Sequence, residues 1–158
     1  MRIVIAGLAL ATAAAFSCTA FAAAPAPWKI ESLPENAPIY QQGGCIGTFT
    51  LKGHDNQTVF LDDSTDVNSH ANIKISGKIF VLNLITSKVN GKVGGETQGA
   101  GTHFDRWFKD KTGAVQVLAA MIAGKDHQES DSVEMNGTLS VTYKGTTQKV
   151  VIEGGVAC

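Results

Sequence analysis

A chain of 158 residues with 44% hydrophobic and 17% charged side chains is long enough for one domain with a buried core. Its 13 basic and 14 acidic side chains leave a net charge of −1. That balance excludes the dense positive field on which phosphate-backbone binding rests, so no nucleic-acid partner is expected.

Arg2 is followed by an uncharged, Ala-rich run from Ile3 to Phe16 and by Ala20-Phe21-Ala22, small residues in A-x-A spacing. A charged start, a short apolar run and this site read as a secretory signal peptide, residues 1–22, cleaved after Ala22. The run falls short of the roughly 20 apolar residues that span a bilayer, and no later stretch supplies them, so no transmembrane segment is expected. A periplasmic or secreted protein follows. With Arg2 removed, 12 basic against 14 acidic side chains leave −2. Cys45 and Cys158 are the cysteines that remain, and in an oxidising compartment they read as one disulfide.

Residues 23–44 are broken by Pro25, Pro27, Pro34 and Pro38 and read as an irregular arm; residues 45–158 read as a single β-rich domain. Ile46 to Lys52 alternates, Gly53-His54-Asp55-Asn56 turns, and Thr58 to Leu61 returns as a strand. Asp62 to His70 is polar and reads as a loop. Asn72 to Ser76 alternates again, and Ser76-Gly77-Lys78-Ile79 fits a type II′ turn with Gly77 first of the central pair. That register sets Ile75 opposite Phe80 and Ile73 opposite Leu82. Asn90-Gly91 predicts a tight turn after the strand Ile79–Thr86.

Thr102 as N-cap, Asp105 in a first turn, Lys109 and Lys111 in a last turn and Gly113 as stop predict one short helix. Phe104, Trp107 and Phe108 would share a face. Residues 114–124 fit either period: Val115, Leu118, Ala119 and Ile122 a helix, or Val115, Val117, Ala119 and Met121 a strand, which the β-rich surroundings favour. Thr138–Lys144 and Thr147–Glu153 predict a closing hairpin around Gly145-Thr146. A type II′ turn there pairs Val141 with Val150, Leu139 with Ile152 and Thr142 with Lys149. The expected class is all-β with one short helix, an antiparallel barrel or sandwich.

Most chemical motifs fail on inspection. Gly91 to Gly101 ends in no Gly-Lys-Ser or Gly-Lys-Thr, and Gly99-x-Gly101 lacks the third glycine of a dinucleotide fingerprint. No G-x-S-x-G elbow occurs. His54, His70, His103 and His127 have no metal-ligand spacing. Asp62, Asp63, Asp66 and Asn68 offer oxygen ligands, yet Val67 and Ile73 stand where an EF-hand loop needs Gly and Glu, and a solvated turn is the reading. Asp126–Asp131 reads the same way. No catalytic residue, metal or cofactor is assigned. What stands out is His103-Phe104-Asp105-Arg106-Trp107-Phe108. As a helix it would cap an open end of the β structure and line an apolar pocket there, with His103 and Arg106 as polar groups at the rim. His103, Phe104, Arg106, Trp107 and Phe108 are the candidate ligand-binding residues.

Ser87 to Gly101, then His103 to Phe108, then Asn136-Gly137-Thr138-Leu139-Ser140-Val141 through Val150-Val151-Ile152-Glu153 follow a familiar order. A polar segment, a His- and Phe-bearing stretch and a closing hairpin resemble the periplasmic lipocalin-like, polyisoprenoid-binding (YceI-like) family. The likeness covers the last 70 residues at most, and the N-terminal half lacks the family's opening pattern. It implies a lipocalin-like barrel with an apolar ligand. The expectation is therefore a non-catalytic binding protein for an apolar or amphiphilic small molecule or lipid. The alternative is a protein-binding module, such as an inhibitor of a cell-envelope hydrolase or a surface-assembly component, using loops Asp62–His70, Asn90–Gly101 and Asp126–Asp131. A third class, an envelope enzyme, needs two carboxylates meeting in a cleft.

Overall fold

From Ile46 onward nearly every segment pairs with the one before it. The computed structural model describes residues 28–41, 44–63, 69–93 and 99–158. The signal-peptide reading, residues 1–22, lies outside the described residues, as do parts of the loops at 64–68 and 94–98. The strands are β1 (Ile30–Glu31), β2 (Ile46–Leu51), β3 (Thr58–Asp63), β4 (His70–Ile75), β5 (Lys78–Val89), β6 (Lys92–Val93), β7 (His103–Asp110), β8 (Val115–His127), β9 (Ser132–Tyr143) and β10 (Thr146–Ala157). Each long strand is antiparallel to its neighbours, and β10 returns to β2, from Ile152 opposite Leu51 to Ala157 opposite Ile46. That last ladder closes an eight-stranded barrel, which decides between the two expected architectures.

Alternation explains why these segments close. Val115, Val117, Ala119, Met121 and Ala123 of β8 are buried while the intervening side chains are not, so residues 114–124 are the strand that their surroundings favoured. Outward positions of β9 and β10 carry Asn136, Thr138, Ser140, Thr142, Thr147 and Lys149. The outer face also carries exposed Val81, Ile85, Ile122 and Val151. No helix among the described residues is long and apolar enough to cross a membrane. Two inward glycines let strands press together. A Cβ at Gly154 would lie 2.0 Å from the Thr48 carbonyl oxygen, and one at Gly137 would lie 2.2 Å from that of Ala120.

The expected helix is a strand. His103–Asp110 forms β7, paired with β5 on one side and β8 on the other. Phe104 and Phe108 share a face at strand spacing as well as at helical spacing, so only Trp107 distinguished the two periods. Ladders on both edges outweigh the local signals at Thr102 and Gly113.

Two hairpin registers also differ from expectation. Ser76 and Gly77 have φ of 45° and 84°, and Lys144 and Gly145 have φ of 50° and 75°. Positive φ at both central residues makes these type I′ turns, with glycine second rather than first. Ile73 therefore faces Phe80 and Ile75 faces Lys78, while Leu139 faces Val150 and Val141 faces Gln148. Thr142 meets Thr147, not Lys149, with hydroxyl oxygens 2.8 Å apart. The shift moves each pairing by two residues, so the same side chains stay inside. Asn90-Gly91 turns as expected, with φ of 49° and 78°.

One end of the barrel carries the turns β2–β3, β4–β5, β7–β8 and β9–β10. Trp28 packs edge-on against Tyr143 there, with centroids 5.9 Å apart, and Tyr143 meets Phe80 at 5.5 Å. Just inside, Phe60 contacts Phe108 at 5.6 Å and Phe49 at 6.1 Å. The arm follows Trp28 as β1, pairs with the end of β4, and packs Leu33, Ala37 and Ile39 against Leu61 in a separate cluster. Asn72 Oδ1 accepts the Ile39 N–H at 3.0 Å. At the opposite end the expected disulfide joins Cys45 to Cys158 across 113 residues, worth about 5 kcal/mol in the chain-entropy account.

Asp110 staples the β7–β8 turn. Its carboxylate accepts from the Val115 N–H at 2.8 Å, the Thr112 N–H at 3.2 Å and the Thr112 hydroxyl at 2.5 Å. Burial acts to raise its pKa, but these hydrogen bonds outweigh it and hold the group below the usual carboxylate range. A depressed folded pKa gives stability that is full above the usual carboxylate range and lost as pH falls through the folded value. Asp110→Ala is expected to cost about 1–3 kcal/mol near neutrality and to flatten the acid limb of stability, read from denaturant midpoints over a pH series.

Candidate ligand site in the barrel interior

The inward row of β7 is Phe104, Arg106, Phe108 and Asp110, so a guanidinium points into a barrel lined mostly by apolar side chains. It is 6% exposed and meets Asp62 of β3, which is 1% exposed, through an Nη1 to Oδ2 ion pair. β3 and β7 are separated by β4 and β5 on the shorter way round, so the pair crosses the lumen. The neighbours of both residues on adjoining strands are small. Asp62 lies between Gly47 and Ala71, and Arg106 between Ser87 and Ala119. Small flanking side chains leave room for two long polar groups to reach across.

Below the pair lies the aromatic layer, with the Arg106 guanidinium 5.3 Å from the Phe108 ring centroid. Above it, toward the disulfide end, the lining changes to Val89, Phe104, Met121, Ala123 and Met135, with half-buried Val133 and Val156 beyond. Methionines adapt their shape to what they contact, unlike the interlocked rings below. The barrel is thus graded from a rigid aromatic end to an adaptable thioether end, with one ion pair between.

Burial of Asp62 disfavours its charge and raises its pKa to about 6; Arg106 pulls the other way without cancelling the effect, and Asp63 adds slightly to the rise. Asp62 Oδ1 meets no hydrogen-bond donor among the described residues. The described residues contain no group of three His, Cys, Asp or Glu side chains that would hold a metal ion. A guanidinium beside Asp62 also opposes a cation there.

The five candidate residues from the aromatic stretch separate by parity. Phe104, Arg106 and Phe108 face the lumen. Trp107 faces out, over a shallow cleft of about 410 Å³ with Ile85, Leu118, Lys88 and Gln116, where Lys88 Nζ stands 5.3 Å from the indole. His103 is exposed, and its backbone N–H donates to Asn90 Oδ1 at 3.0 Å. Ile85 is the extra residue of a β-bulge, since Leu84 faces Phe108 and Thr86 faces Trp107. Sequence reasoning missed Asp62, assigned to a loop, together with its small neighbours. The available signal was period two: Phe60 and Asp62 share a face if the strand runs one residue further. No family model, curated protein or solved structure matches the chain.

Arg106→Met leaves Asp62 alone in the core and is expected to cost about 3–5 kcal/mol near pH 8, whereas Arg106→Met with Asp62→Leu recovers most of the loss. A raised folded pKa means the contribution of Asp62 is fully present below the usual carboxylate range and lost as pH rises through about 6. The single variant should therefore be least damaging in acid, and the double variant should lack this dependence. Chemical denaturation at several pH values measures both.

Proposed function

We propose that this is an exported carrier that holds an amphiphilic small molecule in the half of the barrel nearest the Cys45–Cys158 bridge, without catalysing a reaction. The observation that carries this reading is the buried Arg106–Asp62 pair. Replacing such a pair by apolar side chains often stabilises a fold by about 1–4 kcal/mol, so stability alone does not account for an ion pair amid apolar packing. Polar groups deep in an apolar, adaptable lining orient a ligand that has both characters. The resemblance of the C-terminal half to lipocalin-like polyisoprenoid-binding proteins points the same way, and the disulfide fits an oxidising compartment. The rival reading, a protein-binding module, draws on the outer cleft beside Trp107 and the exposed Ile85.

Native mass spectrometry of protein purified gently from its own host separates the two. A discrete extra mass that extracts into organic solvent is expected for wild type and for Trp107→Ala, and its occupancy should fall in Ala119→Leu, which adds bulk beside Arg106. Thermal unfolding confirms that each variant is folded. A clean unliganded mass for wild type, or loss of the adduct on Trp107→Ala alone, overturns the interior reading.

A further inference from the structure

The reading above leaves the ligand's polar group undefined, and Asp62 narrows it. One carboxylate oxygen, Oδ2, takes the Arg106 Nη1 donor; the other, Oδ1, is buried and meets no donor among the described residues. An ionised carboxylate can only accept hydrogen bonds, and a buried acceptor left unpaired costs about 1–3 kcal/mol. Gly47 and Ala71 on either side bring no side-chain donor of their own. What satisfies Oδ1 must therefore bring a donor with it. Charge decides which kind. Arg106 and Asp62 together are neutral, and the lining beyond them is Phe104, Met121 and Met135. An ammonium would add an uncompensated buried positive charge, and a carboxylate offers no proton and repels Asp62.

We infer that the ligand's head is a neutral hydroxyl that donates to Asp62 Oδ1, with its apolar chain lying toward Met121, Met135 and Phe104. This inference rests on the interior-carrier reading, and the two fail in different ways. Dodecanol, dodecyl methyl ether, dodecylammonium and dodecanoate share one tail and differ in the head. Their dissociation constants with the intact, delipidated protein, measured by calorimetry, are the test. The alcohol should bind about tenfold to a hundredfold more tightly than the ether, which has no donor, and more tightly than either ion. Alcohol and ether binding equally, or an ion binding best, overturns the hydroxyl inference and leaves the carrier reading intact. Binding of none of the four overturns both. In the Arg106→Met, Asp62→Leu double variant, whose folding is checked by circular dichroism, the tail should still bind while the preference for the alcohol disappears. A preference that survives there excludes Asp62 as the acceptor.

Discussion

Everything in this molecule depends on the first long strand and the last finding each other. The β2–β10 ladder turns a meander of hairpins into a closed cylinder with an inside. Without it the row of Phe49, Phe60 and Phe108 would lie on an open sheet, and two edges would be free to pair with other chains. The partners in this seam are farther apart in sequence than those of any other ladder, so it carries the largest loop-closure cost among the strand pairings. A covalent link between Cys45 and Cys158, at the end of the same seam, lowers that cost from the unfolded side.

Closure also makes a buried ion pair tolerable. Inside a closed cylinder Asp62 and Arg106 reach each other across the lumen because their neighbours are Gly47, Ala71, Ser87 and Ala119. The same charges on an open sheet would be hydrated and indifferent to one another. Topology thus converts two ordinary polar residues into a recognition element, and the change from aromatic to thioether lining on its two sides gives that element a direction.

Much of the fold was legible in the sequence. The alternation in Ile46–Lys52, Thr138–Lys144 and Thr147–Glu153 needed no tertiary information, and the pairing of Cys45 with Cys158 followed from count and compartment. What escaped depended on long-range pairing. His103–Asp110 carries plausible helix signals, and only the strands on both sides of it make it β7. In Ser76-Gly77 and Lys144-Gly145 a non-glycine residue takes positive φ ahead of the glycine, a choice imposed by strand twist and not by composition. Asp62 sits where an apolar strand meets a polar run, so local chemistry assigned it to the loop although its parity matches Phe60. The candidate residues of the aromatic stretch split three to two, with Phe104, Arg106 and Phe108 inward and His103 and Trp107 outward, because a strand divides neighbours between two faces and a helix does not.

The bulge at Ile85 shows how finely that division is set. One additional residue between Leu84 and Thr86 reverses the parity of the rest of β5, turning Ser87 and Val89 inward and Thr86 and Lys88 outward. Read without the bulge, the same sequence would send an ammonium into the lumen beside the Arg106 guanidinium and expose a valine. The interior polarity of the upper barrel is therefore governed by strand register at one point as much as by residue identity. Were the bulge to slip along β5 past Lys88, a neutral lumen would become a cationic one with no substitution anywhere in the lining.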